Sequence, residues 1–490
     1  MFQTELLRDE HIEPIADTSL RILEEIGILC QNDEMLQALA AAGARVDQAA
    51  ERVRFPRAMV EEYVAGFRAQ YGGRMYGSSY KISDPTSEGG RVAASAGFIP
   101  PSLPVLSTDI AQLYYDWASR TRRSSNTPDF ITMLKLGEVL HGDQGVGHTL
   151  TPTDVPAILE PLHSAIVMAE HVSKPVGVYC FRADQRPYLQ EMAEVLGVGD
   201  SLLAWGAICF AHPLRFDREP AGRFVLMAKA GVPVGLTAMP VAGVSTPITP
   251  EGFMAMTGAE QVAGWIAGRA INPDVPLGGS MWAATVDMRT GTVSYSAPDA
   301  MYMAFCSIEF IRRWTGVSIP PGGGEYCDAK EPGLYAVLEK MYKAMMVAAF
   351  TGQHPAVGSG MLECGKTMCP VQLLLERDFL GALGIFGREI APTAENLAWE
   401  TMQEVDLGFG RNYFESTHTL EHFRGNVWLP KLVDREGWKG CAADEALLAR
   451  AQAKFEELLG EYRKPEVDPD KLAAMRAILD RAARDFGVQV

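Results

Sequence analysis

The 490-residue chain has no uninterrupted apolar run of 18 or more residues, so a membrane-spanning helix is not expected. Basic charge is scarce: 44 Lys and Arg stand against 61 Asp and Glu, a formal charge of −17. Gripping nucleic acid needs a basic face to neutralise phosphates, so that class is disfavoured. Cysteine is sparse and unpatterned, with 8 residues scattered from Cys30 to Cys441 and no C-x-x-C. Cys364 and Cys369 stand five apart, poor spacing for zinc. Such cysteines read as buried thiols of a cytoplasmic protein. Residues 1–10 are mixed polar and lack the charged and apolar regions of a secretion signal, which points the same way.

Nucleotide and hydrolase motifs are missing as well. No G-x-G-x-x-G follows a strand pattern, and no G-x-x-x-x-G-K-[ST], H-E-x-x-H or G-x-S-x-G occurs. His418 and His422 can share a helix face, but no third ligand stands near them in sequence. No metal of the chain's own is therefore expected.

What remains is an ordinary folded composition, 47% hydrophobic and 21% charged. Residues 10–28, 33–42 and 56–67 carry helical apolar stripes, and residues 75–104 are rich in Gly, Ser and Pro. From residue 129 a unit repeats. Helical patterns at 130–140, 155–171, 185–196, 220–230, 249–270, 297–314, 335–350 and 370–383 alternate with short apolar runs. The runs lie at 145–149, 176–181, 202–210, 232–238, 276–282, 318–323 and 354–361. They are too short for helices and lack polar alternation, so they fit strands buried on both faces of a parallel sheet. Seven or eight such units predict an α/β fold, a (β/α)8 TIM-type barrel with an N-terminal helical preamble and C-terminal helices. The domain reading is 1–120 as an extension packed on the barrel, 121–400 as the barrel and 401–490 as a helical extension. A remaining strand falls at 92–97 or near 384–386.

A barrel carries its active site at the C-terminal strand ends. The residues after each run are His148, Phe181, Phe210 to His212, Met239-Pro240, Met281-Trp282, Gly322 to Asp328 and Gly358 to Glu363. Aromatic and Met side chains dominate, with a few carboxylates. That lining suits a cation bearing methyl groups, because aromatic faces attract quaternary ammonium. Core packing is the competing reading for each ring. Gly322-Gly323-Gly324 and Gly358-Ser359-Gly360 let a bulky planar partner approach the backbone, or simply make tight turns.

These residues carry a resemblance. Gly231-Val-Pro-Val, Met239-Pro, Gly258-Ala-Glu260, Asp287-Met-Arg-Thr-Gly291 and Ser296-Ala-Pro298 resemble the trimethylamine methyltransferase (MttB-like) family. Gly322-Gly-Gly-Glu-Tyr-Cys-Asp-Ala-Lys330 and Gly358-Ser-Gly-Met-Leu-Glu-Cys-Gly365 are the strongest parts of the match, which covers most of the chain. The resemblance implies a barrel that moves a methyl group from an amine to the Co(I) of a cobalamin-type corrinoid on a separate protein. Family members acting on trimethylamine carry pyrrolysine. This chain has only standard residues, so it resembles the branch acting on quaternary amines such as glycine betaine, proline betaine or carnitine. Tyr326, Cys327 and Gln353-His354-Pro355 depart from the family pattern at pocket positions.

A quaternary ammonium leaves as a neutral amine and Co(I) is itself a nucleophile, so the protein supplies positioning and desolvation. Phe98, Trp282 and Tyr326 are the candidates to hold the cation, with Asp328 or Glu363 compensating its charge. Arg289 is the candidate for a betaine carboxylate, and His354 joins the substrate pocket. Gly323, Gly324, Gly358 and Gly360 mark the corrinoid approach. The expected partners are a cognate corrinoid protein, the amine and further copies of the chain as a homo-oligomer, with no nucleic acid or membrane. Two other readings stay open: a non-catalytic binder or sensor of methylated amines, and a different barrel lyase or hydrolase with its own metal.

Overall fold

A computed structural model describes residues 5–72, 110–322, 326–351, 358–382, 385, 390–438, 440 and 442–488. Phe98, Gly323, Gly324 and His354 lie outside these residues, as do the expected strand at 92–97 and most of 384–386. The fold is mixed α/β. Its helices start and stop where local chemistry directs. Asn32 caps Asp33–Ala41 by accepting from Met35 N at 2.9 Å, and Met35, Leu36 and Leu39 make its buried stripe. Asn126 and Asp129 close a capping box on Thr127–His141. Pro298–Thr315 opens on proline and ends at Gly316, whose φ of 80° suits a left-handed cap.

Between residues 146 and 321 strand and helix alternate as the apolar runs predict. Val146–Gly147 pairs in parallel with Pro175–Val176, and Val178–Tyr179 with Leu203–Ala204. The Thr237 amide donates to the Ile208 carbonyl at 2.8 Å. Thr237–Ala238 pairs in parallel with Ser280–Met281, and Met281 bridges in parallel to Pro321. Six segments thus stand side by side in chain order, with helices Glu160–His171, Arg186–Leu196, Arg218–Lys229, Pro250–Ile271 and Pro298–Thr315 between them. The regular strands are only two residues long, because Pro and Gly interrupt the ladder at Gly177, Pro240 and Pro320. Among the described residues the sheets stay separate and do not close into a barrel.

Several short elements lie beyond the sequence expectation. The preamble is not helical throughout. Ile28–Cys30, Arg45–Asp47 and Arg52–Arg54 form a sheet, and Ile28–Cys30 pairs in parallel with Arg215–Phe216. Leu113–Asp116 and Thr121–Ser124 form a hairpin across residue 120, the expected domain boundary. Ala284–Asp287 and Thr292–Ser294 form another. The run ending at residue 361 leads into Met361–Leu362, which folds back antiparallel on Thr367–Met368. The reversal uses positive φ at Glu363, Cys364 and Gly365.

Among the described residues most of the interior falls into two large clusters, with a small third one at Met301, Phe305 and Val347. Residues 7–71 pack with 208–319, so the preamble buttresses one side. Residues 111–202 and 327–375 pack with the tail helices Ala443–Glu461 and Pro469–Phe486 on the other. No helix among the described residues is long and apolar enough to cross a membrane.

Candidate functional site

The site begins where the Ser280–Met281 strand ends. Trp282 donates its backbone N–H to Ala238 O at 2.7 Å and its indole Nε1–H to Ser280 Oγ at 2.9 Å. The ring is thereby locked against the next strand end. A Cβ on Gly322 would sit 1.5 Å from Trp282 Nε1, so this glycine is required by the indole. Tyr326 meets Trp282 edge to face, with centroids 4.8 Å apart and planes at 73°. Tyr295 meets Tyr326 the same way at 5.8 Å and 82°. Gly365 leaves room for Tyr326, since a Cβ there would approach its ring to 2.1 Å. Ser296 Oγ donates to Tyr326 O at 2.6 Å, and burial pushes the Tyr295 phenol up to about 12.

This aromatic cluster borders a cavity whose walls include Met281, Trp282, Tyr295, Phe305, Gly322 and Lys343. Lys343 is buried and donates from Nζ to Tyr295 O at 2.8 Å. Sequence reasoning missed both Tyr295 and Lys343. Tyr295 follows a hairpin instead of an apolar run, and a lysine inside an amphipathic helix reads as a solvated residue.

The expected carboxylates are spread over the neighbouring turns. Asp328 accepts from Ser294 Oγ and, at 3.4 Å, from Cys364 Sγ. Its backbone N–H and that of Ala329 donate to Glu339 Oε2 at 3.0 and 3.1 Å. Burial holds the Glu339 carboxyl above its ordinary range. Glu363 accepts from Arg122 at 2.5 Å, so its charge is already matched. Arg289 lies at the turn between Ala284–Asp287 and Thr292–Ser294, with its side chain 88% exposed. It forks onto Asp287 at 3.0 and 2.8 Å, and that pairing holds the Asp287 carboxyl down at about 2. The structure brings Trp282 and Tyr326 together and leaves Arg289 at the surface.

Gly358 and Gly360 are buried. Gly358 O accepts from Arg377 Nε at 3.1 Å, and Gly360 N donates to Glu376 Oε2 at 3.1 Å. A Cβ on Gly360 would meet Cys369 O and Leu373 Cβ at 2.6 Å, so close packing explains this glycine. Glu376 also accepts from Lys340 at 2.5 Å and Gln372 at 2.9 Å. Lys340 and Glu376 are fully buried, a paired charge set beneath the Gly358–Gly360 turn.

Two strand-end histidines are built alike. His148 accepts the Tyr179 N–H at Nδ1 (3.3 Å) and meets Glu160 through Nε2 at 2.9 Å. His212 accepts the Met239 N–H at Nε2 (3.1 Å) and meets Glu260 through Nδ1 at 2.8 Å. Each ties a strand end to the next strand and to a buried glutamate on a helix. Both are consumed by the scaffold. Burial raises the thiols of Cys327 and Cys369 to about 12 and that of Cys209 to about 11, which makes all three poor nucleophiles. Among the described residues no group of His, Cys, Asp and Glu is placed to hold a metal ion.

The fold and site define a mixed α/β protein whose parallel strand ends carry an aromatic-walled cavity with a buried ammonium beside it. The chain belongs to the trimethylamine methyltransferase family, whose model matches residues 1–487. It is 23% identical to the glycine betaine methyltransferase of Desulfitobacterium hafniense (strain Y51), over 98% of both chains. It is 26% identical to a trimethylamine methyltransferase MttB of the same species (strain DSM 10664 / DCB-2), over 98% of this chain and 94% of that one. Trimethylamine methyltransferase MttB2 of Methanosarcina mazei is 23% identical over 98% of this chain and 96% of its own length.

Proposed function

We propose that this protein, in the cytoplasm, moves a methyl group from a quaternary amine of the glycine betaine kind to the Co(I) of a corrinoid held by a separate protein. The observation that carries the reading is the cluster of Trp282, Tyr295 and Tyr326 beside the cavity that Lys343 borders. Ring faces attract a methylated ammonium. A fixed ammonium nearby repels a bare cation but attracts the carboxylate of a zwitterion. Lys343 therefore takes the role that the sequence suggests for Arg289. Asp328, held by Ser294 and Cys364, supplies the compensating negative charge.

The corrinoid supplies a strongly nucleophilic cobalt that takes the methyl. The residues present fit that division of labour: three rings, one ammonium and one carboxylate bind and orient, and none has to activate a nucleophile. Their work is to fix the C–N bond in line and to keep water away. We place the incoming carrier at the strand ends that present this cluster. We also propose that the six parallel segments belong to a (β/α)8 barrel spanning residues 121–400, with 1–120 and 401–490 as extensions. Links from Leu150 to Ala111, and from Leu113–Tyr114 to Thr367–Met368, support a barrel by carrying hydrogen bonding beyond the first strand, and they draw residues 111–114 of the N-terminal extension into it.

The test mixes purified protein with a Co(I) corrinoid protein and, separately, glycine betaine, proline betaine, carnitine, choline and trimethylamine. A change in the corrinoid's visible spectrum with carboxylate-bearing amines is expected. No turnover with any quaternary amine, or tight binding without turnover, would overturn the proposal, the second outcome favouring a sensor. A stoichiometric zinc or iron in the purified chain would favour the other enzyme class.

A further inference from the structure

Helix Leu334–Thr351 sends polar side chains to two turns of the candidate site. Glu339, Tyr342 and Lys343 stand at i, i+3 and i+4, so they share one helical face. Lys343 Nζ donates to Tyr295 O at 2.8 Å, and the Tyr342 hydroxyl donates to Ser296 O. Glu339 is buried and takes the N–H groups of Asp328 and Ala329 on a single oxygen, Oε2, at 3.0 and 3.1 Å. The same face therefore meets the turn that carries Tyr295 and the turn that carries Tyr326 and Asp328.

Residues 327–329 are strung between this helix and the 362–365 reversal. The amides of 328 and 329 meet Glu339, and the carbonyls of Cys327 and Ala329 accept from Cys364 N at 2.7 Å and Glu363 N at 3.0 Å. With the backbone held along both edges, the Asp328 carboxylate meets Ser294 Oγ and Cys364 Sγ. Ser294 Oγ accepts from the N–H groups of Ser296 and Ala297 at 3.1 and 2.9 Å, and Ser296 Oγ donates to Tyr326 O at 2.6 Å. The two turns are thus one hydrogen-bonded unit, fastened to the helix at Glu339, Tyr342 and Lys343. Burying a carboxylate is unfavourable unless donors meet it. Here the donors are the amides of the residue whose charge the site uses and of its neighbour.

We infer that Glu339 is a positioning residue. It fixes the 327–329 turn so that Asp328 and the Tyr326 ring are set for the methylated ammonium, and it acts through that turn without touching the substrate. This role rests on the methyl-transfer reading above. It makes the place of one acceptor oxygen decisive and the charge of Glu339 dispensable. Glutamine keeps an oxygen at the same reach, and a carbonyl oxygen has two lone pairs for the two amides. Aspartate keeps the charge but draws its oxygens back by about 1.5 Å, one C–C bond. A residue that attracted the cation by its charge would show the opposite order.

The full chain is assayed with a corrinoid protein and glycine betaine as Glu339→Gln, Glu339→Asp and Glu339→Ala. Glu339→Asp and Glu339→Ala are expected to raise KM about 10-fold with kcat within about threefold of wild type, and Glu339→Gln to keep KM within about threefold. Glu339→Gln as poor as Glu339→Ala overturns the inference, and a wild-type KM in Glu339→Asp would then make the residue a charge for the cation. Wild-type KM in both Glu339→Asp and Glu339→Ala overturns it as well, leaving a packing role. If Glu339→Ala fails to fold, the comparison of Glu339→Gln with Glu339→Asp decides. Hydrogen exchange of residues 326–332 without substrate separates this role from the reaction. Slow exchange in wild type and Glu339→Gln, and exchange at least about 10-fold faster in Glu339→Asp, supports the hold on the turn. Equal rates in wild type and Glu339→Asp overturn it. A wild type that turns over no amine defeats the methyl-transfer reading, and the exchange rates still decide whether Glu339 holds the turn.

Discussion

Substituting Gly322→Ala probes the site through one contact. The added methyl would sit 1.5 Å from Trp282 Nε1, far inside any tolerable separation, and the indole is held by a 2.9 Å bond to Ser280. Either the ring leaves or the backbone moves. If the ring leaves, the Trp282–Ser280 bond contributes a loss of about 0.5–1.5 kcal/mol. The Trp282–Tyr326 edge-to-face contact adds about 0.5–1.5 kcal/mol. A destabilisation of about 1–3 kcal/mol is expected, and overpacking with a backbone shift falls in the same range. Binding should suffer separately. One aromatic face on a desolvated cation contributes about 1–2 kcal/mol, a rise in KM of roughly 5- to 30-fold. The assay pairs a thermal melt with KM for glycine betaine. Trp282→Ala placed in the Gly322→Ala background separates the two effects, because it removes the clash but not the missing ring. KM should stay high, and the melt should recover only the part of the loss that comes from overpacking, because the bond to Ser280 and the contact with Tyr326 are absent in the double variant too. If Gly322→Ala leaves both readouts at wild-type values, the indole does not lie over Gly322 and the reasoning fails. If Trp282→Ala alone leaves KM unchanged, the ring takes no part in binding.

Lys343→Met should raise KM for glycine betaine about 10- to 100-fold, the range of one charge-assisted hydrogen bond, and leave choline turnover unchanged or improved; equal losses on both substrates would count against the carboxylate role. Lys340→Met strands the fully buried Glu376 charge and should destabilise by about 3–5 kcal/mol in urea unfolding, with much of that recovered by adding Glu376→Leu. A Lys340→Met variant as stable as the wild type would deny the pair its structural role. Burial, with Arg377 nearby, holds the His141 imidazole down at about 4 against an ordinary 6.5. The folded state therefore binds fewer protons than the unfolded one between those values, and stability falls as pH drops from 6.5 toward 4. His141→Gln should flatten the melting temperature over that window, and an unchanged slope would place the acid sensitivity elsewhere.

The helices were legible because their apolar stripes are long. Pro298–Thr315 and Pro250–Ile271 lie within one residue of the periodic segments that predict them. The strands were legible as apolar runs but not as ladders. A run such as 276–282 contains two glycines and a proline, and regular pairing survives only at Ser280–Met281. Three-residue strands such as Arg52–Arg54 carry too little pattern to stand out from a loop.

The contrast between Arg289 and Lys343 shows where linear reading of a site fails. Arg289 stands two residues after an aspartate in a tight turn, a spacing that lets the guanidinium fold back on its own neighbour. The local ion pair is complete without a ligand, so the residue stays at the surface however suitable its charge. Lys343 sits mid-helix, where sequence context assigns it to solvent, yet the helix turns that face toward the 280–295 segment. Burying an ammonium is unfavourable unless something polar meets it. Tyr295 O accepts one of its protons at 2.8 Å. Trp282 was readable because it follows a buried run directly, so its position at a strand end came with the pattern. Lys343 reaches the same cavity from another unit of the chain, and that juxtaposition exists only once the strand and helix are packed together.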